Sequence, residues 1–212
     1  MRSAAAGKIK ALAAAAAVLV LLPHLAWAHH FMDDQLPQTL AQGLLSGLGH
    51  PVIGVDHAAF IVAAGFLLAP IKGGPWGVLA LILGSLLGAA LHLAGFSLPA
   101  GEAAVALSVI LVGGLVMSAR RIALTWMAGA LALAGLLHGH AYAESIFGAE
   151  PAPLLAYLGG FSLVQLGIAT AALITHRHLI ATGGSRVRRT SGALGAAVGA
   201  IGVLFLAGTV VA

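Results

Sequence analysis

The sequence predicts an all-α protein: a polytopic transmembrane helix bundle with six spans after a cleavable signal peptide, the first span preceded by a short broken helix. Hydrophobic residues make up 60% of its 212 residues and charged residues only 8%, whereas about a quarter of the residues of a soluble domain are charged. Mean hydropathy is +1.05. The apolar residues also form runs near the length of about 20 residues that a membrane-spanning helix needs. These observations indicate an integral membrane protein.

The N-terminal segment has the parts of a secretory signal. An apolar stretch covers residues 11–22, and Ala26-Trp27-Ala28 supplies small residues where a signal peptidase cuts. The basic residues that precede the stretch are Arg2, Lys8 and Lys10. We therefore predict a signal peptide over 1–28 and a transmembrane domain over 29–212. The alternative is an uncleaved first transmembrane helix.

Cleavage after Ala28 would place His29 and His30 at the start of the mature chain, beside a free α-amine. Two imidazoles and an amine there predict an outer metal-capture site, with Asp33 and Asp34 close behind. A merely polar N-terminus is an equally good interpretation of the same residues.

Apolar runs separated by glycine, proline and charge divide the rest of the chain into six predicted helices. Their ranges are 38–69, 76–95, 101–118, 122–140, 153–175 and 191–211. The first is too long for one straight span and contains Pro51, which removes a backbone donor and disfavours helix in the residue before it. We therefore predict a short helix over 38–48, a break at Gly49-His50 and a spanning helix over 51–69.

Glycines four residues apart favour close contact between membrane helices. Three such pairs occur in the predicted helices: Gly43 and Gly47, Gly84 and Gly88, and Gly195 and Gly199.

The distribution of charge predicts the orientation of the helices. With an exported N-terminus and six spans, every basic residue after the signal falls on the inner side, as the positive-inside rule requires. These are Lys72, Arg120, Arg121, Arg177, Arg186, Arg188 and Arg189. The loop acids Asp33, Asp34, Glu144 and Glu150 fall outside. The pattern predicts a multi-pass protein of the bacterial inner (cytoplasmic) membrane with a periplasmic mature N-terminus.

Composition also excludes several classes of function. The sequence pI is about 10.1, but the basic residues are too few and too scattered for a nucleic-acid surface. No cysteine is present, which excludes disulfides and cysteine-ligated metals. No Gly-rich phosphate loop of the Walker type occurs, so the chain does not itself hydrolyse ATP, and it implies no ATPase subunit.

The run His50-Pro51-Val52-Ile53-Gly54-Val55-Asp56-His57 is the most polar part of the predicted spans. Ionisable groups are costly within a membrane and mark functional sites there. Imidazole and carboxylate are ligands of divalent nickel, cobalt and zinc. His50 and His57 are seven residues apart, which places them near one helical face. The alternative is structural: Asp56 pairs with a neighbouring histidine and holds helices together.

Other predicted helices bring histidine or carboxylate to the same outer level of the membrane. His92 lies near the outer end of helix two and Glu102 opens helix three, while His138 and His140 close helix four. For His92 or Glu102 alone, structural and functional roles are equally plausible. Tyr142 and Tyr157 are predicted to mark membrane interfaces rather than a pocket.

In these residues the sequence resembles the HupE/UreJ family, whose members are small integral membrane proteins associated with nickel or cobalt uptake for hydrogenase and urease. The resemblance runs from the signal through His50-Pro51-x-x-Gly54-x-Asp56-His57 to the glutamate early in helix three. It continues through Leu137-His138-Gly139-His140-Ala141 and Gly159-Gly160-Phe161. The resemblance implies six ligands for the metal: His50, Asp56, His57, Glu102, His138 and His140.

The resulting hypothesis is a permease that takes Ni2+ or Co2+ from the periplasmic side into the cytoplasm. The ion is cargo, and no prosthetic group is expected. A second hypothesis is a membrane accessory or sensor protein that binds metal without transporting it. A third is an intramembrane metal-dependent enzyme, although no His-Glu-x-x-His or Gly-x-Ser-x-Gly pattern supports it.

Overall fold

A computed structural model describes residues 35–118, 120 and 122–211. All regular elements in this part of the chain are helices, which confirms the all-α prediction. They are α1 (Leu40–Ile53), α2 (Val55–Leu68), α3 (Gly74–Leu93), α4 (Gly101–Ser118), α5 (Leu124–Glu144), α6 (Pro151–Thr182) and α7 (Ser185–Val211). The predicted signal peptide, His29, His30, Asp33 and Asp34 lie outside the described residues.

Several helices are long and apolar enough to cross a membrane. Four qualify singly: Gly74–Leu93, Gly101–Ser118, Pro151–Thr182 and Arg186–Val211. The bent pair α1 and α2 raises the number to five if it forms one span. Helix α5 has 21 residues but is less apolar, because His138 and His140 fall within it. The chain is a multi-pass membrane protein.

The break in the first span lies at Gly54, so the predicted break at Gly49-His50 is wrong. Helix α1 continues through Pro51, and the Gly54 N–H donates to the carbonyl of His50 (3.1 Å). The Gly54 carbonyl then accepts from Ala58 N and begins α2. The two helices are bent by 77°. A Cβ at Gly54 would lie 2.5 Å from Cδ2 of His57 and would force that ring to move.

Helices α1 and α2 cross the bundle once, despite the bend. Both run beside α6 and in its direction: Gly43 packs on the backbone of Pro153 near the start of α6. At the far end of α2, Nε of Arg177 donates to the carbonyl of Ala69 (3.0 Å). The pair thus follows α6 from its first turn to the level of Arg177 and does not return to Pro153.

Glycines allow three helix pairs to approach at backbone distance, which confirms the packing predicted for Gly43 and Gly47, for Gly84 and Gly88, and for Gly195, whereas a Cβ at Gly199 would meet nothing within 4 Å. Gly43 and Gly47 meet the backbone of α6, and Gly84 and Gly88 meet that of α5. Gly195 and Gly199 both lie against Gly113 on α4. The tightly packed pairs are therefore α1 with α6, α3 with α5, and α4 with α7.

Helix α2 lies at the centre of the bundle and contacts every other helix. Its residues Phe60, Ile61 and Leu68 are fully buried in the main apolar core. This central position brings the polar start of α2 into the interior, where α1, α4, α5 and α6 surround it.

The two ends of the bundle carry different residues. At one end, Arg177 binds the carbonyls of Ala69 and Ile71, next to the exposed Lys72. At the other end, the connection after α3 lies against α5 near Glu144, because Nε2 of His140 is 2.8 Å from the carbonyl of Phe96. Basic residues and the candidate site are thus separated along the bundle axis.

Candidate metal site

Two buried histidines from distant parts of the chain meet at the centre of the candidate site. Nδ1 of His57, in the first turn of α2, lies 2.8 Å from Nδ1 of His138 on α5. Both side chains are buried, and the ring of Phe60 stacks on that of His138 with centroids 4.0 Å apart. At this separation one Nδ1 carries a proton and donates a hydrogen bond to the other Nδ1, which is unprotonated. The two rings are therefore in complementary tautomers.

Ser108 on α4 determines which nitrogen of His138 carries the proton. The Ser108 hydroxyl donates to the carbonyl of Val105 (2.7 Å), and its oxygen lies 2.9 Å from Nε2 of His138. Because the hydroxyl proton is engaged, the oxygen accepts from Nε2–H of His138. The Nδ1 lone pair of His138 therefore faces His57. Metal-binding histidines are characteristically oriented in this way by a partner on the other nitrogen.

Asp56 brings a carboxylate to the same place. It is buried, and its Oδ2 atom lies 3.9 Å from Nδ1 of His57, too far for a hydrogen bond. Its Oδ1 atom has no hydrogen-bond partner in the described part of the chain. A buried carboxylate oxygen without a partner is costly unless a cation or a donor compensates it. Asp56 thus places a negative charge where it could offset that of a divalent cation.

His50 completes this group from α1. Its Nδ1 lies 3.0 Å from the hydroxyl of Tyr157 and 3.1 Å from Oγ of Ser145. Its ring centroid is 5.8 Å from that of His57. The two rings lie close together, but the predicted shared helical face is wrong: the bend at Gly54 puts His50 and His57 on different helices and brings their rings together.

Tyr142 and Tyr157 are part of the site, so their prediction as interface markers is wrong. Both are fully buried. The ring of Tyr142 lies 4.6 Å from that of His57 and 5.2 Å from that of His50. The i, i+4 spacing of His138 and Tyr142 on α5 was a usable signal for one of them. Tyr157 comes from α6 and carried no such signal.

His92, His140 and Glu144 form a second group. Nδ1 of His92 on α3 lies 3.3 Å from Nε2 of His140 on α5. One ligand atom from each of the three residues lies within 4.8 Å of the others. Glu144 is exposed, His92 is half-buried and His140 is buried. The histidines and carboxylates that were predicted to lie together at the outer level of the membrane therefore form two separate groups.

The division follows from the position of the two histidines on α5. Residues two apart on a helix point about 200° from one another, at about 100° per residue. His138 accordingly faces α2 and α4, while His140 faces α3.

Comparison with known proteins identifies the family to which the chain belongs. The family model described as HupE / UreJ protein matches residues 17–205. The chain belongs to the HupE/UreJ family. It is also 32% identical over 123 residues to Protein HupE of Rhizobium leguminosarum bv. viciae, an alignment that covers 57% of this chain and 61% of that protein. The chain thus spans about three fifths of the length of this curated relative. No solved structure matches it significantly.

Some of the residues in the HupE/UreJ motifs lie close together in the structure, and others do not. The residues from the first motif, His50, Asp56 and His57, meet His138 from the Leu137-His138-Gly139-His140-Ala141 segment. Glu102 is exposed in the first turn of α4, and no described residue forms a hydrogen bond or ion pair with its carboxylate. Its role as a ligand stays a prediction.

One polar pair of this HupE/UreJ chain lies deeper in the bundle. Oγ of Ser85 donates to Oε1 of the fully buried Gln165 (3.1 Å) and connects α3 to α6. At the basic end, His176 is held between the carbonyl of Phe66 (2.8 Å) and Oγ of Ser191 (3.1 Å). Polar side chains therefore occur at several depths between the two ends.

Proposed function

We propose that the chain is a secondary permease that carries Ni2+ or Co2+ from the periplasmic side into the cytoplasm, for metalloenzymes such as hydrogenase or urease. The observation that carries this proposal is the buried His57–His138 pair beside the unpartnered oxygen of Asp56. The association of HupE/UreJ proteins with nickel and cobalt supports the choice of cargo.

The donor set suits these ions. Neutral imidazole nitrogens and a carboxylate bind borderline divalent metals well, and the carboxylate offsets part of the charge where the surroundings screen poorly. Two nitrogens bound to one ion at about 2.1 Å and at right angles lie about 3.0 Å apart. The Nδ1 atoms of His57 and His138 are 2.8 Å apart, so one ion can bind both if it lies to the side of the line that joins them. The rings must turn toward it and the shared proton must leave.

The topology that fits this function has six crossings. The α1–α2 pair counts as one broken crossing, and α3, α4, α5, α6 and α7 supply the other five. We place the end with Lys72 and Arg177 in the cytoplasm, which makes the N-terminus periplasmic after removal of a signal peptide over 1–28. The membrane potential then drives the ion inward, because moving a divalent charge is worth roughly 4.6 kcal/mol per 100 mV.

Uptake of radioactive nickel and cobalt into a transporter-deficient host tests the proposal. Cells that express the chain should accumulate metal above an empty-vector control, and His57→Ala and His138→Ala should each abolish the gain. His178→Ala is the matched control, because His178 is an exposed histidine near the opposite end of the bundle. Membrane levels of each variant are measured by immunoblotting.

Two results would count against the proposal, the first against transport and the second against the His57–His138 pair as the transport site. One is no accumulation above vector although the protein is present in the membrane. The other is accumulation that His57→Ala and His138→Ala leave unchanged. Binding of metal by purified protein without any accumulation would instead favour the accessory or sensor function.

A further inference from the structure

We propose that His92, His140 and Glu144 form a second divalent-metal site, separate from the buried histidine pair, which receives the ion before that pair does. The order of the two sites rests on the proposed function, whereas the existence of the second site does not. The cluster joins the last turn of α3 to the last turn of α5, at the end of the bundle opposite Arg177.

The distances suit one ion. Nitrogens bound tetrahedrally to a metal at about 2.1 Å lie about 3.4 Å apart, and Nδ1 of His92 is 3.3 Å from Nε2 of His140. The Glu144 carboxylate is within 4.8 Å of both histidine ligand atoms. Because Glu144 is exposed and one helical turn beyond His140, its carboxylate can close on the ion without disturbing buried structure.

The carbonyl of Phe96 offers a fourth ligand. It lies 2.8 Å from Nε2 of His140, the distance of a hydrogen bond when no metal is present. Gly95 has φ +88°, and the N–H groups of Gly95 and Phe96 donate to the carbonyls of His92 (2.8 Å) and Leu91 (3.0 Å). This is a Schellman motif, which fixes the backbone after a helix. It holds the Phe96 carbonyl on the same side of α3 as the His92 ring.

Exposure gives the order of the two sites. Glu144 is exposed and His92 half-buried, whereas His57 and His138 are 3% and 0% exposed. An ion can bind Glu144 and His92 while it keeps part of its hydration shell. The buried pair requires loss of more water, which is easier from a site that already supplies nitrogen ligands. His140 lies two residues from His138 on α5, so the sites are adjacent but on different helix faces.

Cobalt binding to the purified full chain tests the inference. The chain carries a histidine-free affinity tag and the substitutions His29→Ala and His30→Ala, which remove N-terminal histidines as a source of binding. We expect two bound Co2+ per chain by equilibrium dialysis. Glu144→Gln and His92→Gln should each lower the affinity for one of the two ions on the order of tenfold or more. His57→Ala should abolish binding of the other ion.

Glu150→Gln is the matched control, because Glu150 is also an exposed carboxylate at this end of the bundle. It should leave both ions bound. Retention of the α-helical circular dichroism spectrum and of the elution volume in gel filtration checks that each variant is folded. Binding of one or two ions that Glu144→Gln and His92→Gln both leave unchanged would overturn the second site.

Uptake kinetics test the order. Glu144→Gln should raise the KM for nickel with a smaller effect on the maximal rate, whereas His57→Ala should abolish uptake. An unchanged KM in Glu144→Gln would overturn the order. Two ions bound without any uptake would contradict the permease but leave the second site intact. Uptake with one bound ion, which His57→Ala removes and Glu144→Gln does not affect, would contradict the second site and leave the permease intact.

Discussion

Nδ1 of His57 and Nδ1 of His138 lie 2.8 Å apart, although 81 residues separate them in the chain. The first belongs to a helix that begins at the bend in the first span, and the second to a helix that glycines hold against α3. Neither ring can turn freely, because Phe60 stacks on His138 and Tyr142 packs against His57. The two rings are therefore held close together before any ion arrives, which limits the reorganisation of binding to a change in ring orientation and loss of the shared proton.

Ser108→Ala should weaken uptake without removing a ligand. Its hydroxyl accepts from Nε2–H of His138 and so keeps the Nδ1 lone pair directed at His57. Loss of such a partner typically lowers metal affinity on the order of 10- to 100-fold. We expect a rise in the KM for nickel uptake of that size. Ser118→Ala, on the same helix but exposed, should leave KM unchanged; an equal effect of both variants would contradict the role of Ser108.

Gly54→Ala should impair uptake while the protein still inserts in the membrane. The backbone of Gly54 has φ −67° and ψ 100°, which alanine can adopt. Its Cβ would however lie 2.5 Å from Cδ2 of His57 and would displace that ring from His138. Gly159→Ala is the control, because a Cβ there meets nothing within 4 Å. Uptake by Gly54→Ala at the level of Gly159→Ala would show that the position of the His57 ring is not critical.

The helices and their glycine contacts were predictable because hydropathy and small-residue spacing are local properties. The location of the bend was not, since Gly49, Pro51 and Gly54 all lie within six residues and each can interrupt a helix. The assignment of His138 and His140 to different groups could have been predicted, because residues two apart cannot share a helical face. The contact of Tyr157 with His50 depends on the pairing of α1 with α6, which spans 107 residues and leaves no local pattern.

Gly84→Ala should destabilise the bundle. A Cβ at Gly84 would collide with the backbone carbonyl of Ala132 on α5, and backbone cannot move aside as the end of a side chain can. Overpacking of this kind costs about 1–3 kcal/mol. Thermal unfolding of the purified protein in detergent, followed by circular dichroism, should show a lower apparent Tm. Gly129→Ala on α5 faces open space and should keep or slightly raise it; a fall of the same size in both would contradict close α3–α5 packing.

The orientation of the bundle can be tested with reporters that are active on only one side of the membrane. Arg177 holds the carbonyls of Ala69 and Ile71 beside Lys72, so the basic connections share one end and should share one compartment. A green fluorescent protein fused after Arg121 should fluoresce, and alkaline phosphatase at the same point should be inactive. Fusions after Gly148, near Glu144 and the second metal site, should give the opposite results. Phosphatase activity after Arg121 would contradict the six crossings, because one crossing more or fewer before that point places it outside.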